Sequence, residues 1–188
     1  MSTASVERGT STWKLDPAHS SVEFAVKHMM MTTVRGRFKE VQATLTGDES
    51  HPTGCCVEVA IATASIDTGA PDRDQHLRSA DFFDAGRYPE IRFESKRLDG
   101  NFEKEGDRFR MVGDLQIRDT KMEIVLECEF LGRGRDPWGK ERAGFTARGE
   151  VDRREWGLKW NQAIETGGVL VANKVRIEAE VQFVKQEE

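Results

Sequence analysis

Long apolar runs are missing from this sequence. No stretch approaches the ~20 consecutive apolar residues that a membrane-spanning helix needs. Cysteine is scarce: Cys55, Cys56 and Cys128 are the only three, two of them neighbours, with no C-x-x-C. A disulfide framework is therefore not expected, and a reducing compartment fits best. The four histidines, His19, His28, His51 and His76, are scattered without an H-x-x-x-H pair, so no metal site is expected. G-x-S-x-G is absent, which removes the common serine-nucleophile elbow. The glycine patterns of dinucleotide and nucleotide sites are absent too, so no such cofactor is implied. Positive charge is not in excess. The formal net charge of −5 argues against nucleic acid as a partner, because that needs a concentrated basic face. The opening "MSTASVERGTSTWKLD" has no apolar core followed by a cleavage site, so a cytoplasmic location is expected.

What the chain does have is alternation. At 188 residues it suits one domain; residues 1–12 read as a flexible tail and 13–188 as a single folded unit. "SVEFAVKH" puts Val22, Phe24, Val26 and His28 on one face and Glu23, Ala25 and Lys27 on the other. "RGRFKEVQATLT" reads as the next strand, with Gly36 placed for a bulge or bend. "CVEVAIATASI", "EIRFESKRL", "RFRMVGDLQI", "MEIVLECEFLG", "RAGFTARGEVDR" and "NKVRIEAEVQFVK" repeat the period of two. Breaks rich in Gly, Asp and Asn separate them. The expected fold class is all-β, with about eight or more antiparallel strands. Such a sheet must close into a barrel or a sandwich to hide its edges. Short helices are expected only at "DRDQHLRSADFF", capped by Asp72 or Asp74, and around Leu158 to Ile164.

Few constellations offer chemistry. Asp72, Asp74 and His76 could converge on an ion only from an extended chain; a helix fans them apart. Cys128 alternates with Leu126 and Phe130 and reads as a core thiol. His28 ends an apolar face and is followed by "MMM", three flexible side chains suited to an adaptable apolar surface.

Several ordered motifs together resemble the YceI-like family of lipocalin-like, polyisoprenoid-binding proteins. They are Asp16, His19-Ser20, Phe24, His28 and Val34-x-Gly36-x-Phe38; then Ser65-Ile66, Thr68, Arg73-Asp74, His76-Leu77, Ser79, Asp81-Phe82-Phe83 and Pro89; then "GDLQIRDTKMEIVLECEFLG", "DPWGKERAGF" and "EWGLKWN". The resemblance spans Trp13 to about Val184. Family members read like G-x-L-x-I-R-G-V-T-K where this chain has "GDLQIRDTKMEI", one residue shorter, so a tighter hairpin is expected there.

The resemblance implies an extended antiparallel barrel with a long apolar channel for an amphiphilic isoprenoid lipid, such as a quinone or its precursor. It implies no catalytic residue and no cofactor beyond that lipid, and it brings a homodimer into view. The expected channel residues are Phe24, Val26, His28, Ile91, Phe93, Leu126, Phe130, Phe145 and Ile177. The expected mouth or lid residues are Arg73, Asp74, His76, Arg78, Phe82 and Phe83. A carrier of such a lipid collects it from a bilayer, so transient membrane contact is a further expectation. Two other readings stand beside this one. One is an enzyme on a small lipophilic substrate, using His76 or His28 with Asp74 as acid and base. The other is a solidly packed, stress-related interaction module.

Overall fold

The computed structural model describes residues 9–187. Among them, eleven strands and one α-helix follow in order. They are β1 (Ser11–Leu15), β2 (Ser21–His28), β3 (Thr32–Phe38), β4 (Val41–Gly47), β5 (Cys56–Ala62), β6 (Ile66–Asp67), α1 (Pro71–Arg78), β7 (Glu90–Gly100), β8 (Arg108–Ile117), β9 (Thr120–Arg135), β10 (Glu141–Asp152) and β11 (Val171–Lys185). The strands pair in the order β1-β4-β5-β7-β8-β9-β10-β11-β2-β3-β6, and β1 also pairs with β11. That last pairing, Trp13↔Lys185 through Leu15↔Phe183, closes eight antiparallel strands into a barrel. Closure satisfies backbone groups that an open sheet would leave unpaired.

The wall forks because two strand paths are broken. A 3-10 turn at Pro17–His19 separates β1 from β2, while Lys39 and Glu40 separate β3 from β4. β11 runs past both pieces of the first path. Its start pairs with β2, from Val171↔His28 to Glu180↔Ser21, and its end pairs with β1. β5 stays in the barrel between β4 and β7. β6 leaves it to follow β3, at Arg37↔Asp67 and Phe38↔Ile66. No strand pairing joins β6 to β7 among the described residues, and α1 with residues 79–89 occupies that break.

Alternation decides what is buried. On β9, Ile124, Leu126, Cys128 and Phe130 are buried while Glu123, Val125 and Glu127 are exposed. β7 buries Ile91, Phe93 and Ser95, then slips register between Ser95 and Arg97, which turns Leu98 inward. At the end formed by the β7–β8 and β9–β10 connections, Phe102, Phe109, Phe130, Phe145 and Phe183 make a continuous aromatic cluster with ring separations of 5.2 to 6.2 Å. Each buried ring contributes about 1.5–3 kcal/mol over exposure.

Several expectations need correction. Ser11 and Thr12, read as tail, open β1; residues 1–8 of that tail lie outside the described residues. "RGRFKEVQATLT" is two strands with a break, not one. Gly36 makes no bulge: it pairs in register with Phe24, and a Cβ there would sit 2.3 Å from the Phe24 ring. The glycine is needed for that close approach. Residues 158–164 form an irregular loop, and the local turn is a 3-10 segment at Arg153–Trp156 instead. The helix is capped at Ala70 with Pro71 at its first position, not at Asp72 or Asp74; proline's fixed φ suits that place. The β8–β9 hairpin has the expected two-residue loop, since Ile117 pairs with Thr120. Its left-handed residue is Arg118 (φ 56) rather than Asp119.

Charge locks the closing seam. Arg142 bridges Asp16 at 2.6 Å and Asp136 at 2.8 Å, tying the β1–β2 break to β10. Arg142, and after it His19, holds the Asp16 carboxyl down at about 2. Burial raises Glu49, but Lys185, Ser11 and Arg133 outweigh it and leave that carboxyl at about 2 as well. Arg133 and Lys185 also lie 5.2 and 5.6 Å from the buried Trp13 ring. Both carboxyls are depressed on folding, from 3.8 and 4.5 respectively. Their stabilisation is complete above those values and is lost as pH falls through about 2. Thermal melts should therefore hold a steady midpoint above pH ~5 and fall from pH ~4.5 to ~2. Asp16→Asn with Glu49→Gln should lower the neutral midpoint and flatten the acid limb; an unchanged acid limb would contradict this account.

Candidate functional site

The barrel encloses an apolar cavity of about 150 Å³. Its position follows from a mismatch between walls. β7, β8 and β9 send in long or aromatic side chains, among them Phe93, Leu98, Met111, Leu115, Ile124 and Leu126. The rest of the wall, from β5 and β4 through β2 to β11 and β10, sets the short Val59, Val41, Val22, Ala179 and Ala147 beside the larger Ile61, Leu45, Ile177, Phe145 and Phe183. Short side chains cannot reach the facing ones, so a void remains. Among the described residues no charged side chain lines the cavity, and Thr146, its one hydroxyl-bearing neighbour, presents no polar surface to it. Cys128 contributes a thiol that burial pushes up to about 12, so it is an apolar wall rather than a nucleophile.

Four of the nine expected channel residues line this cavity: Phe93, Leu126, Phe145 and Ile177. The other five do not. Ile91 and Phe130 are buried core residues. Phe24 packs against Phe38 at 5.8 Å over Gly36. Val26 lines a groove on the surface beside Met30. His28 ends β2 at the turn, paired with Thr32 and Val171. For the three on β2 the reason is the fork in the wall: β2 pairs with β11 and β3 outside the closed ring of eight strands, and of its apolar face only Val22 reaches the cavity. Sequence reasoning left out Val22, Val41, Ala43, Val57, Val59 and Ala179 as site residues. Their period-two pattern marked them as inward but could not say that small residues would border the space.

The expected mouth residues do come together, as a lid over the fork. α1 is tied to the strand before it through Thr68. The Asp74 carboxylate accepts from the Thr68 N–H at 2.9 Å and its hydroxyl at 2.5 Å. Arg73 donates to the Thr68 hydroxyl and carbonyl at 2.7 and 3.0 Å. Arg78 donates to the carbonyls of Ala64 and Ile66, both at 2.9 Å. His76 Nε2 lies 2.9 Å from Asp81, and its ring meets Phe82 and Trp160 edge-on at 5.1 and 4.6 Å. Phe82 is buried, its carbonyl accepting from Arg118 at the β8–β9 turn. Phe83 packs on Phe38 at 6.0 Å. None of these six lines the cavity; they close the end above it.

Two residues that sequence reasoning did not single out complete this end. Trp156, 1% exposed, donates its indole N–H to the Leu115 carbonyl at 2.9 Å. Arg153, also buried, gives its N–H groups to four backbone carbonyls, those of Leu158, Trp160, Val171 and Ala172. It thereby holds the 157–170 loop, and Trp160 with it, against α1. The resemblance motif "EWGLKWN" was the available signal, but it gave no role for the arginine two places before it. Acid–base chemistry finds no support in this geometry, since neither His28, His76 nor Asp74 lines the cavity.

A closed antiparallel barrel with an apolar interior and a capped end defines a lipocalin-like architecture. More specifically, residues 13–183 match the YceI-like domain family, and the chain belongs to it. It is 36% identical over 172 residues to the UPF0312 protein SERP2314 of Staphylococcus epidermidis, covering 91% of this chain and 96% of that protein. The Campylobacter jejuni YCEI protein superposes with a TM-score of 0.72 at 28% identity, covering 86% of this chain and 90% of that one. A polyisoprenoid binding domain from Saccharophagus degradans shares the fold, with a TM-score of 0.66 at 12% identity, covering 93% and 98%.

Asp74→Ala would leave the Thr68 N–H without its acceptor, at about 1–3 kcal/mol. Hydrogen exchange across residues 68–89 should then speed up while the β8–β9 hairpin keeps its protection. Uniform exchange in variant and wild type would show that Asp74 does not hold the lid.

Proposed function

We propose that the chain binds the apolar tail of an amphiphilic isoprenoid-type lipid in its barrel, and carries, stores or sequesters that lipid without transforming it. The observation that carries this reading is a cavity inside a closed barrel whose lining, among the described residues, holds no charged side chain and presents no polar surface. Such a lining has nothing to offer a polar substrate and everything to offer a hydrocarbon. The S. degradans neighbour, described as a polyisoprenoid binding domain, supports the same class of ligand. Three free thiols fit a reducing compartment, and the cytoplasm is the location we propose.

Magnitudes limit the mechanism. A void of about 150 Å³ holds a benzene-sized group, roughly one isoprene unit. A longer tail must therefore displace side chains, and the phenylalanine cluster at the far end is the material in its way. Burial from water at ~0.8 kcal/mol per CH₂ would exceed the ~18–21 kcal/mol ceiling on noncovalent affinity for a long tail. The real competitor is the bilayer, which is equally apolar. Tail transfer is then nearly balanced, and selectivity rests on how much space the barrel can open. Exchange with a bilayer requires transient membrane contact.

Two measurements test this. Organic extraction of purified protein followed by mass spectrometry should release an isoprenoid lipid, and added quinones should bind. Repeated extracts without lipid, together with no quinone binding, would sink the proposal. Ala147→Leu with Ala179→Leu fills the void from the small-residue wall. The variant should melt no lower than wild type yet lose quinone uptake at least tenfold. Undiminished uptake would show that the lipid does not enter this void.

A further inference from the structure

The β2–β3 turn presents apolar side chains where a turn would rather have none. Met30 and Met31 are 64% and 66% exposed. The Met31 N–H bonds the His28 carbonyl at 3.0 Å, and Met29 and Met30 between them have φ of 51° and 58°. That is the arrangement of a type I′ turn, whose two central positions favour Asn and Gly. Methionine is strained at both. Backbone preference therefore does not explain the methionines.

The charges behind this tip are ordered along the strands. On the outer surface of β2, Ala25 is flanked by Arg35 on β3 and Arg176 on β11. Lys27 is one outward position nearer the tip. Lys27, Lys174 and Arg176 border a surface groove floored by Ala25, Val26, Val169 and Ala172, with Met30 at its edge. Glu150 also borders the groove, paired with Lys174 at 3.5 Å. Arg35 pairs with Glu178 at 3.8 Å. Both pairs are exposed, so a phosphate can replace the carboxylate at little cost. Lys27 and Arg176 have no carboxylate partner within 4.0 Å among the described residues. Glu23, the nearest outward acid on β2, lies roughly 13 Å down the strand from Lys27. With Glu150 the one acid inside the basic band, the order from the tip along β2 is apolar, then basic, then acidic.

We propose that the β2–β3 turn docks this protein onto an anionic bilayer, with Met30 and Met31 entering the interface and Lys27, Arg35, Lys174 and Arg176 meeting headgroup phosphates. The inference deepens the carrier reading, because it names the surface with which the barrel exchanges its lipid. The tip is hydrogen-bonded to the lid through the loop before β11. The Met29 N–H bonds the Leu170 carbonyl at 2.8 Å. Arg153 holds the next residue, Val171, and also Trp160, which packs on His76 of α1. Docking here brings the capped end of the barrel to the bilayer.

Flotation with phosphatidylcholine vesicles, and with vesicles of phosphatidylcholine mixed with phosphatidylglycerol, tests the proposal. Wild type should bind the mixed vesicles, and added salt should weaken the binding. Lys27→Glu with Arg176→Glu should weaken it by at least fivefold for each residue changed. Met31→Ser should cost roughly tenfold. Met29→Asn with Met30→Gly separates docking from folding: it relieves the turn, so the melting midpoint should rise a few degrees while vesicle binding falls. The proposal is overturned if wild type ignores the anionic vesicles, or if both the charge and the tip variants bind as wild type does. Quinone uptake from detergent, measured on the same proteins, keeps the two readings apart. Docking without uptake overturns the carrier and leaves the docking surface standing; uptake without docking does the reverse.

Discussion

Everything in this fold depends on β1 finding two partners. Five residues, Ser11–Leu15, pair with β4 on one side and with the end of β11 on the other. Without that pairing the sheet is an open ribbon with two long edges. Trp13 sits in the middle of this short strand at 2% exposure, under Arg133 and Lys185. The Glu49 carboxylate takes both cations. Closure is thus held by backbone pairing, one buried indole and a small charge cluster. The same closure turns alternating apolar faces into an interior.

The interior is not uniform, and that matters for function. Long and aromatic side chains fill the wall from β7, β8 and β9, while a patch of valine and alanine from β5, β4, β2, β11 and β10 borders the same space beside larger neighbours. A barrel with large residues all round would be solid; one with small residues all round would be too wide to keep its core packed. The mismatch leaves a limited void beside a stack of phenylalanines. Rings in a cluster can shift together more readily than backbone can, so the phenylalanine end of the barrel is the deformable one.

The segment from Pro71 to Glu90 carries acids, arginines and a histidine in a pattern that suggests an active site. In three dimensions its charges face its own neighbours. Asp74, Arg73 and Arg78 are consumed by Thr68, Ala64 and Ile66. What reaches inward is Phe82 and Phe83. The segment is polar because it must be held over a fork in the sheet where no strand pairing spans. Its polar groups provide the hydrogen bonds that a strand would otherwise have made.

The sequence by itself determined the all-β class, the inward faces of Phe93, Leu126, Phe145 and Ile177, the apolar character of Cys128 and the family. These are local or one-dimensional properties: a period of two fixes which side of a strand is apolar whatever the strand pairs with. Only the tertiary structure decided where that apolar side would point. Phe24 and Val26 alternate as faithfully as Val22 does, yet they miss the cavity, because the turn at Pro17–His19, which no periodicity reveals, sets β2 outside the closed ring with only Val22 beside the space. The void likewise belongs to no single strand. It arises where Ala147 and Ala179 on neighbouring strands border the same space as Leu115 and Leu126 from β8 and β9, a relation between side-chain lengths brought together only by closure.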